Sequence, residues 1–487
     1  MPQREQLAFV SAGMMKPKKV DNGLAREHRY LNYGLLGLAT IASKAGCNCK
    51  LFHGLFDSPV EVADRIASQT FTDANLLVLL SIPSSFAIEW AKQFVHAIKT
   101  TSPNVKIIVG GRWVVGNDPT WLTERLPGVD EVIGGTCEHS ILDTINKAMG
   151  RQAPPATGSL VNLNGSRVTF PRLDYSLLEN PGDFHPSIEV SRGCGMGCSF
   201  CVEKSAKLSP LRDPSDIVAQ YQDVVKQTGR AVVNPYFECS FFRPTTAWQS
   251  KFKKELDRKE VSFEWRTESR VDAFSIENLD GLRETGLKVI DLGLESASPL
   301  QLKRMQKTTK PDVYLKRASN LIHRLSELGI WTKVNVLLYL GETHETLKET
   351  VDWIYDHRKL IKGVSVNPLV LYRGLDDNSI LKQIPSSAER KRLAIELEAK
   401  GYAFPSLSDD FDSNQAMLLS TQLSSQLMDA RDYFDLKTFS YLRPGFEWND
   451  FVSICQKVPS EKLPFAWPPA DQENTANALR EAKSIRP

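Results

Sequence analysis

Three cysteines in one short loop dominate the chemistry that this chain can do. They lie in Ser191-Arg-Gly-Cys194-Gly-Met-Gly-Cys198-Ser-Phe200-Cys201, which also carries Gly193, Gly195 and Gly197. A C-x3-C-x2-C spacing lets three thiolates reach three corners of a cubic iron–sulfur cluster, provided that the backbone curls tightly. Glycine permits that curvature because it has no Cβ to clash. A fourth iron would then lack a protein ligand and stand open to a substrate. Two other uses are weighed against this one. A zinc knuckle wants four ligands in two separated pairs, whereas His185 lies upstream and the next cysteine is Cys239. A disulfide belongs to oxidising compartments, and no secretory signal is legible behind Met1-Pro-Gln-Arg-Glu-Gln.

The loop resembles the signature of the radical S-adenosylmethionine (radical SAM) superfamily, down to the aromatic Phe200 before the last cysteine. That resemblance implies a [4Fe-4S] cluster on Cys194, Cys198 and Cys201. It also implies S-adenosylmethionine (SAM) chelated at the open iron through its amino and carboxylate groups. An electron from the cluster, supplied by a donor such as a flavodoxin or ferredoxin, would split a C–S bond of SAM to give a carbon radical. Phe200 would pack beside the adenine.

The elements that must hold this loop read as β/α alternation. Ile188-Glu-Val190 leads straight into the loop, so the cluster would sit at the carboxyl end of a first barrel strand, where barrel enzymes keep their chemistry. Further strands are expected at Ala231 to Glu238, Ser262 to Arg270, Lys288 to Ser296, Thr332 to Thr343 and Gly363 to Tyr372, with a helix at Asp216 to Lys226. Six such units fall short of a closed eightfold barrel, and an open side matches the partial barrel of the superfamily. By the same resemblance, Glu238 would take the SAM ammonium, and Arg270 or Ser296 its carboxylate. Gly293-x-Glu295-Ser296, with Met305 and Lys307 after it, resembles the family's fourth-strand pattern, in which Glu295 holds the ribose or adenine side. Gly341-Glu-Thr343 resembles the turn that cradles adenine.

Upstream, residues 1–155 read as a doubly wound, Rossmann-like parallel sheet. Strands are expected at Leu7 to Val10, Lys50 to Gly54, Leu76 to Ile82, Lys106 to Gly111 and Val129 to Gly135, with helices at Tyr33 to Lys44, Phe86 to Lys99 and Cys137 to Met149. Such sheets bind ligands beyond the carboxyl ends of their strands, and those ends carry Gly13, Gly54, Gly110, Gly111, Gly134 and Gly135. The order of the pieces resembles the cobalamin (B12)-binding domain found upstream of many radical SAM barrels. It implies a corrinoid against Gly13, Gly110, Gly111, Gly134 and Gly135. The D-x-H-x-x-G motif of other cobalamin proteins is absent, and none of His28, His53, His96 or His139 sits in that context, as in many radical SAM relatives. Cys47 and Cys49 read as packing or surface residues, and Trp113 as a core or cofactor-facing tryptophan.

Residues 156–185 form an expected linker in which Asn164-Gly165 marks a hairpin. The partial barrel takes residues 186–375. Residues 376–487 are expected to form a mostly helical cap over the open side, with a helix at Ser386 to Lys400, a dense series of aromatic packing residues, and a mobile terminus from Pro464.

Composition sets the outer bounds. The 487 residues suit two to four domains, and 41% apolar and 24% charged residues are those of a globular protein. A net charge of +2 points to neither nucleic acid nor an acidic membrane surface, and the longest apolar run, Leu76 to Ile82, is too short to span a bilayer. Eight cysteines, three in one loop, fit a reducing, cytoplasmic setting. The expected function is SAM-based radical chemistry on a small molecule, with cobalamin-dependent methylation of an unactivated carbon or phosphorus as the main reading. Radical chemistry without cobalamin (cyclisation, elimination or 3-amino-3-carboxypropyl transfer) and a non-catalytic iron–sulfur sensor are the alternatives.

Overall fold

Short apolar segments between amphipathic helices become the strands of a first sheet: β1 (Gln6–Ser11), β2 (Asn48–His53), β3 (Leu76–Ser81), β4 (Lys106–Gly110) and β5 (Glu131–Ile133). The computed structural model describes residues 6–69, 76–111, 118–151, 170–230, 233–374 and 379–467. The hairpin expected around Asn164-Gly165, and Trp113, lie outside these. All strand pairs are parallel, in the order β2-β1-β3-β4-β5. Helices cover both faces. Leu7 and Phe9 of β1 pack toward the helices Tyr33–Lys44 and Ile141–Ala148, while Ala8 and Val10 pack toward Pro59–Ser68 and Ile88–Thr101. Burial on both faces explains why Leu76 to Leu80 reads as an unbroken apolar run, each fully buried side chain contributing about 1.5–3 kcal/mol. In this strand order the winding reverses between β1 and β3, and the crevice there, at the carboxyl ends, is where such sheets take ligands.

The second sheet has six parallel strands that follow one another in chain order: β6 (Ser187–Glu189), β7 (Tyr236–Glu238), β8 (Trp265–Arg270), β9 (Leu287–Glu295), β10 (Trp331–Leu338) and β11 (Gly363–Pro368). Among the described residues β6 and β11 do not pair with each other, so the barrel is open. The α/β class is therefore the expected one: a doubly wound sheet, then a six-unit partial barrel, then helices. Strand β7 is shorter than its sequence suggests. It starts at Tyr236, after Pro235, which has no N–H for a ladder.

The carboxyl-terminal helices close this barrel in two places. Ser413–Leu427 lies along the free edge, where Val366 N–H of β11 donates to Ser424 Oγ at 3.2 Å. Ala430–Thr438 caps the amino ends of β9 and β10, packing Leu436 on Val289 beside Trp331. The aromatic series is explained by packing: Tyr433, Phe434, Phe446, Phe451 and Phe465 form one buried cluster with Leu24. That cluster corrects the expectation of a mobile end from Pro464. Leu463 and Phe465 are fully buried in it, and Ala466 N–H bonds to the Met428 carbonyl at 2.9 Å, so the chain is held as far as Trp467.

Polar contacts fasten the sheets together. Trp121 of the first unit donates through Nε1 to the Glu398 carbonyl at 2.9 Å, and Arg373 pairs with both Asp118 (2.8 Å) and Glu398 (3.0 Å). His185 meets the Leu442 carbonyl at 3.0 Å.

Candidate functional site

The cysteine loop follows β6, and its shape depends on its glycines. Gly193, Gly195 and Gly197 have φ of 74°, 69° and 76°, a region that side chains avoid. A Cβ on Gly193 would stand 2.3 Å from the Lys207 carbonyl oxygen. With this freedom the loop folds back on residues 203–207: Cys194 N–H bonds to Ala206 O (2.9 Å) and Gly197 N–H to Lys204 O (3.2 Å), while Ser199 N–H reaches Met305 O (2.9 Å). All eight cysteines are free. Cys194 and Cys201 are half-buried and Cys198 is buried. Burial is the main influence on the Cys201 thiol, pushing it up to about 11, and its charge would also meet those of Cys198 and Cys194. Among the described residues no three His, Cys, Asp or Glu side chains converge on a single-ion site. Three soft donors spread round one loop are the ligand type that an iron–sulfur cluster takes.

Arg270, at the carboxyl end of β8, is placed against this loop. Its Nη1 donates to Cys198 Sγ at 2.8 Å, its Nη2 to the Lys307 carbonyl at 2.7 Å, and Nε and Nη2 grip Asp272 at 2.8 and 2.9 Å. Arg270 and Ser296 are the expected contacts to the SAM carboxylate; here the guanidinium bonds to Cys198, Asp272 and the Lys307 carbonyl. Ser296 also turns away, buried against Thr350 Oγ1 at 2.9 Å and accepting from Ser298 N–H. Glu295 sits in a left-handed conformation (φ 69°), opposite a register shift in β10, and holds Lys307 Nζ at 3.0 Å. Such strain in a non-glycine residue is common at functional sites. Phe200 is edge-on to Tyr339, with ring centres 6.4 Å apart and Lys307 Nζ 5.9 Å from its ring. Gly341 has φ 74° and receives a hydrogen bond on its carbonyl from Arg304.

Strand register builds a feature that no single segment announces. Glu189 is opposite Glu238, Glu238 follows the Phe237–Thr267 pair and so stands level with Glu268, Glu268 is opposite Asp291, and Asp291 is opposite Lys333. A belt of ionisable residues thus crosses five strands at one level. Asp291 is bonded by Arg266 (2.6 and 2.8 Å) and Lys333 (2.9 Å), cations that hold its carboxyl well below the usual range despite its burial. Burial pushes Glu238 up to about 8, while Glu268 beside it is exposed. A carboxyl poised near neutrality is a common mark of a working site.

A cavity of about 850 Å³ opens between the two sheets, at the upper end of small-molecule sites. Ser11 and Gly13 at the end of β1, Ser81 and Ile82 at the end of β3, Gly110 and Gly111 at the end of β4, and Gly135 after β5 form one wall, at the predicted crevice. Gly134 is exposed and does not line it. At Gly111 (φ 146°) a Cβ would lie 2.3 Å from the Ile82 carbonyl oxygen, whereas beside Gly135 nothing comes within 4 Å of a Cβ. A wall with so few side chains suits a large flat ligand lying against backbone, so the residues fit a corrinoid. Beneath it Asn32 Nδ2 donates to Ser11 Oγ and Ser81 Oγ, both at 3.1 Å, which ties β1 to β3. His53 also lines the cavity, but its Nε2 accepts from Asn32 N–H at 2.9 Å and is not free to ligate a metal.

Arg192, two residues before Cys194, joins cavity and loop. It bonds Glu189 at 2.5 and 2.7 Å and reaches across to Glu138, after β5, at 2.6 Å. This bridge was not foreseen, although Arg192 and Glu138 each flank a motif that was. The lysines and tyrosines supplied by residues 19–33 and 433–437 carried no signal, because the contacts between distant segments decide where they point.

A three-cysteine loop at the mouth of an open parallel barrel, set against a glycine-walled cavity on a second parallel sheet, defines the arrangement: two parallel α/β units that share one cavity. Residues 188–354 match the family model of the Radical SAM superfamily, so the barrel with its cysteine loop is a radical SAM domain. The chain is similar in fold to the cobalamin-dependent SAM radical enzyme OxsB with aqua-cobalamin and SAM bound (15% identity, 90% of this chain and 70% of that one, TM-score 0.59). It is likewise similar to the radical SAM methyltransferase TsrM from Kitasatospora setae with cobalamin and a [4Fe-4S] cluster bound (17%, 78% and 75%, TM-score 0.55). In sequence it is 23% identical, over 313 residues, to the ribosomal protein uS12 methylthiotransferase RimO of Methylorubrum populi, taking in 61% of this chain and 66% of that protein. The chain therefore spans just under two thirds of that relative's length. Among the described residues no helix is long and apolar enough to cross a membrane.

Proposed function

We propose that this chain is a cobalamin-dependent radical SAM methyltransferase that acts on an unactivated carbon, or on phosphorus, of a small molecule. The observation that carries the reading is the 850 Å³ cavity, glycine-walled on the first sheet and reaching Glu189 and Arg192 beside the cluster loop on the second. When bound, the cluster and SAM supply a carbon radical and the corrinoid a transferable methyl group. In this reading Cys194, Cys198 and Cys201 hold the cluster, and Arg270 places a positive charge on one of its sulfurs. Glu238 and Glu268 face the SAM ammonium across the belt, Glu295 and Phe200 take the ribose and adenine side, and Gly341 lets the adenine approach backbone. The Arg192–Glu138 bridge sets the distance between the corrinoid wall and the loop, and the helix Ser413–Leu427 shuts water out of the open edge. An external one-electron donor such as flavodoxin or ferredoxin completes the set.

Methylthiotransfer of the RimO kind is less well supported. Cys47 and Cys49 flank the start of β2 and Cys137 follows β5, so the remaining cysteines of the first unit lie at opposite edges of the sheet. The test is anaerobic reconstitution with iron and sulfide, with and without cobalamin, followed by reductant and SAM. The reading expects a four-iron centre, a tightly held corrinoid spectrum and release of deoxyadenosine. A protein that forms the cluster and cleaves SAM but retains no corrinoid would leave radical chemistry without cobalamin. Methylthioadenosine as the product would move the reading to aminocarboxypropyl transfer, and SAM left uncleaved under strong reductant would leave a sensor.

A further inference from the structure

Five lysines line the cavity away from its glycine wall; Lys18 and Lys462 are exposed, and the other three are half-buried and come from three distant parts of the chain. Lys19 comes from the segment after β1, Lys333 from β10, and Lys437 from the last turn of the helix Ala430–Thr438. Burial raises the cost of charging Lys19 and Lys437, and neighbouring cations add to it: Lys333 acts on Lys19, and both act on Lys437 together with the buried Arg266. Their partners do not balance them. Lys19 Nζ donates to the Val366 carbonyl, which carries no full charge. Lys333 bonds to Asp291 and to the Asn335 side-chain oxygen, both at 2.9 Å, but Asp291 is already gripped by Arg266. Lys437 has the faces of Tyr441 and Tyr433 at 4.8 and 5.5 Å and, among the described residues, no acceptor. Glu268, level with Asp291 and exposed, is the other carboxyl that Lys333 feels. Four cations, Arg266 included, thus face two carboxylates, Asp291 and Glu268.

Isolated cations are costly to desolvate, and three lysines converging on a cavity without anions to match are retained where a ligand brings the missing charge. We propose that Lys19, Lys333 and Lys437 form an anion subsite that takes a phosphate group of the ligand held in the cavity. Lysine suits this role as a compact point charge with three donors, and three of them can surround a tetrahedral oxyanion. The inference stands on the cavity and its lysines, and it does not depend on cobalamin being bound.

The probe is inorganic phosphate, titrated into the full chain by calorimetry and by thermal denaturation, in the wild type and in Lys437→Met and Lys19→Met. A hydrogen bond to a charged group is worth about 1.5–3 kcal/mol, so each variant is expected to bind phosphate about ten- to hundredfold more weakly. Without phosphate, Lys437→Met is expected to be at least as thermostable as the wild type, because a half-buried cation repelled by its neighbours has been removed. That second measurement separates a lost site from a lost fold. Phosphate binding that is absent in the wild type, or equal in all three proteins, overturns the proposal, as does a Lys437→Met protein that is markedly less stable without phosphate. Cobinamide, which lacks the nucleotide phosphodiester of cobalamin, identifies the source. If Lys437→Met weakens cobalamin but not cobinamide, the corrinoid supplies the anion. If it weakens phosphate alone, the substrate does.

Discussion

Replacing Arg270 by methionine tests whether the cysteine loop is an electrostatically tuned cluster site. Arg270 Nη1 lies 2.8 Å from Cys198 Sγ, and the side chain is buried. Adding one electron to a cluster on these cysteines strengthens its attraction to that charge. At an effective dielectric of about 20 and roughly 6 Å from the guanidinium to the centre of the added charge, the gain is about 2.8 kcal/mol. For a one-electron couple, with ~59 mV per tenfold change in the equilibrium constant, this is about 120 mV. Asp272 remains after the substitution and is 28% exposed, so water screens part of the loss. The midpoint potential of the variant is therefore expected to fall by about 60–120 mV, with Arg270→Lys, which keeps the charge but not the fork, in between. Redox titration of the reconstituted protein, followed by electron paramagnetic resonance without SAM, reads this shift. An unmoved or higher potential in a variant with wild-type iron content would refute the assignment of Arg270 to the cluster.

Asp291→Asn leaves Arg266 and Lys333 without their shared carboxylate in a buried site, and urea denaturation at neutral pH should show a loss of about 3–5 kcal/mol; a loss under 1 kcal/mol would mean that the network relaxes freely. The full cost is expected there because a carboxyl held below its usual range stabilises the fold above its unfolded pKa, and that contribution fades only as pH falls through the lower folded value. Glu238 has the opposite sign. With its folded value near 8 and its unfolded value about 4.3, the folded chain holds a proton that the unfolded chain gives up, so stability should decline as pH rises between these values. Glu238→Gln should flatten that decline in denaturation curves taken at pH 6 and pH 8.5, and parallel declines would count against the buried, proton-holding carboxyl. Gly111→Ala forces a Cβ to 2.3 Å from the Ile82 carbonyl at φ 146°, and a cost of about 1–3 kcal/mol should appear in thermal denaturation, with no change meaning that the cavity wall is loose.

Much of this protein is legible along the chain because the relevant physics is local. A loop that must turn left-handed three times shows its glycines, thiolate chemistry shows its cysteines, and a strand buried on both faces, such as Leu76 to Leu80, shows an unbroken apolar run. The strand-end glycines of the first sheet announced its crevice for the same reason. Where reading failed, the missing information lay in packing: Pro464 to Trp467, part of an end that is polar and proline-rich on paper, are held because Phe465 reaches a cluster built from Leu24 and four other distant aromatic rings.

The residues from Ser191 to Cys201 state their chemistry in any context, since ligand type, spacing and backbone freedom are properties of eleven consecutive positions. Other assignments depend on three dimensions. Whether Arg270 meets a ligand or Cys198, whether five ionisable side chains fall at one level across β6 to β10, and whether Lys19, Lys333 and Lys437 share a cavity are all set by strand register and by the docking of remote helices. Charges interact through space, so their partners appear only when the chain has folded.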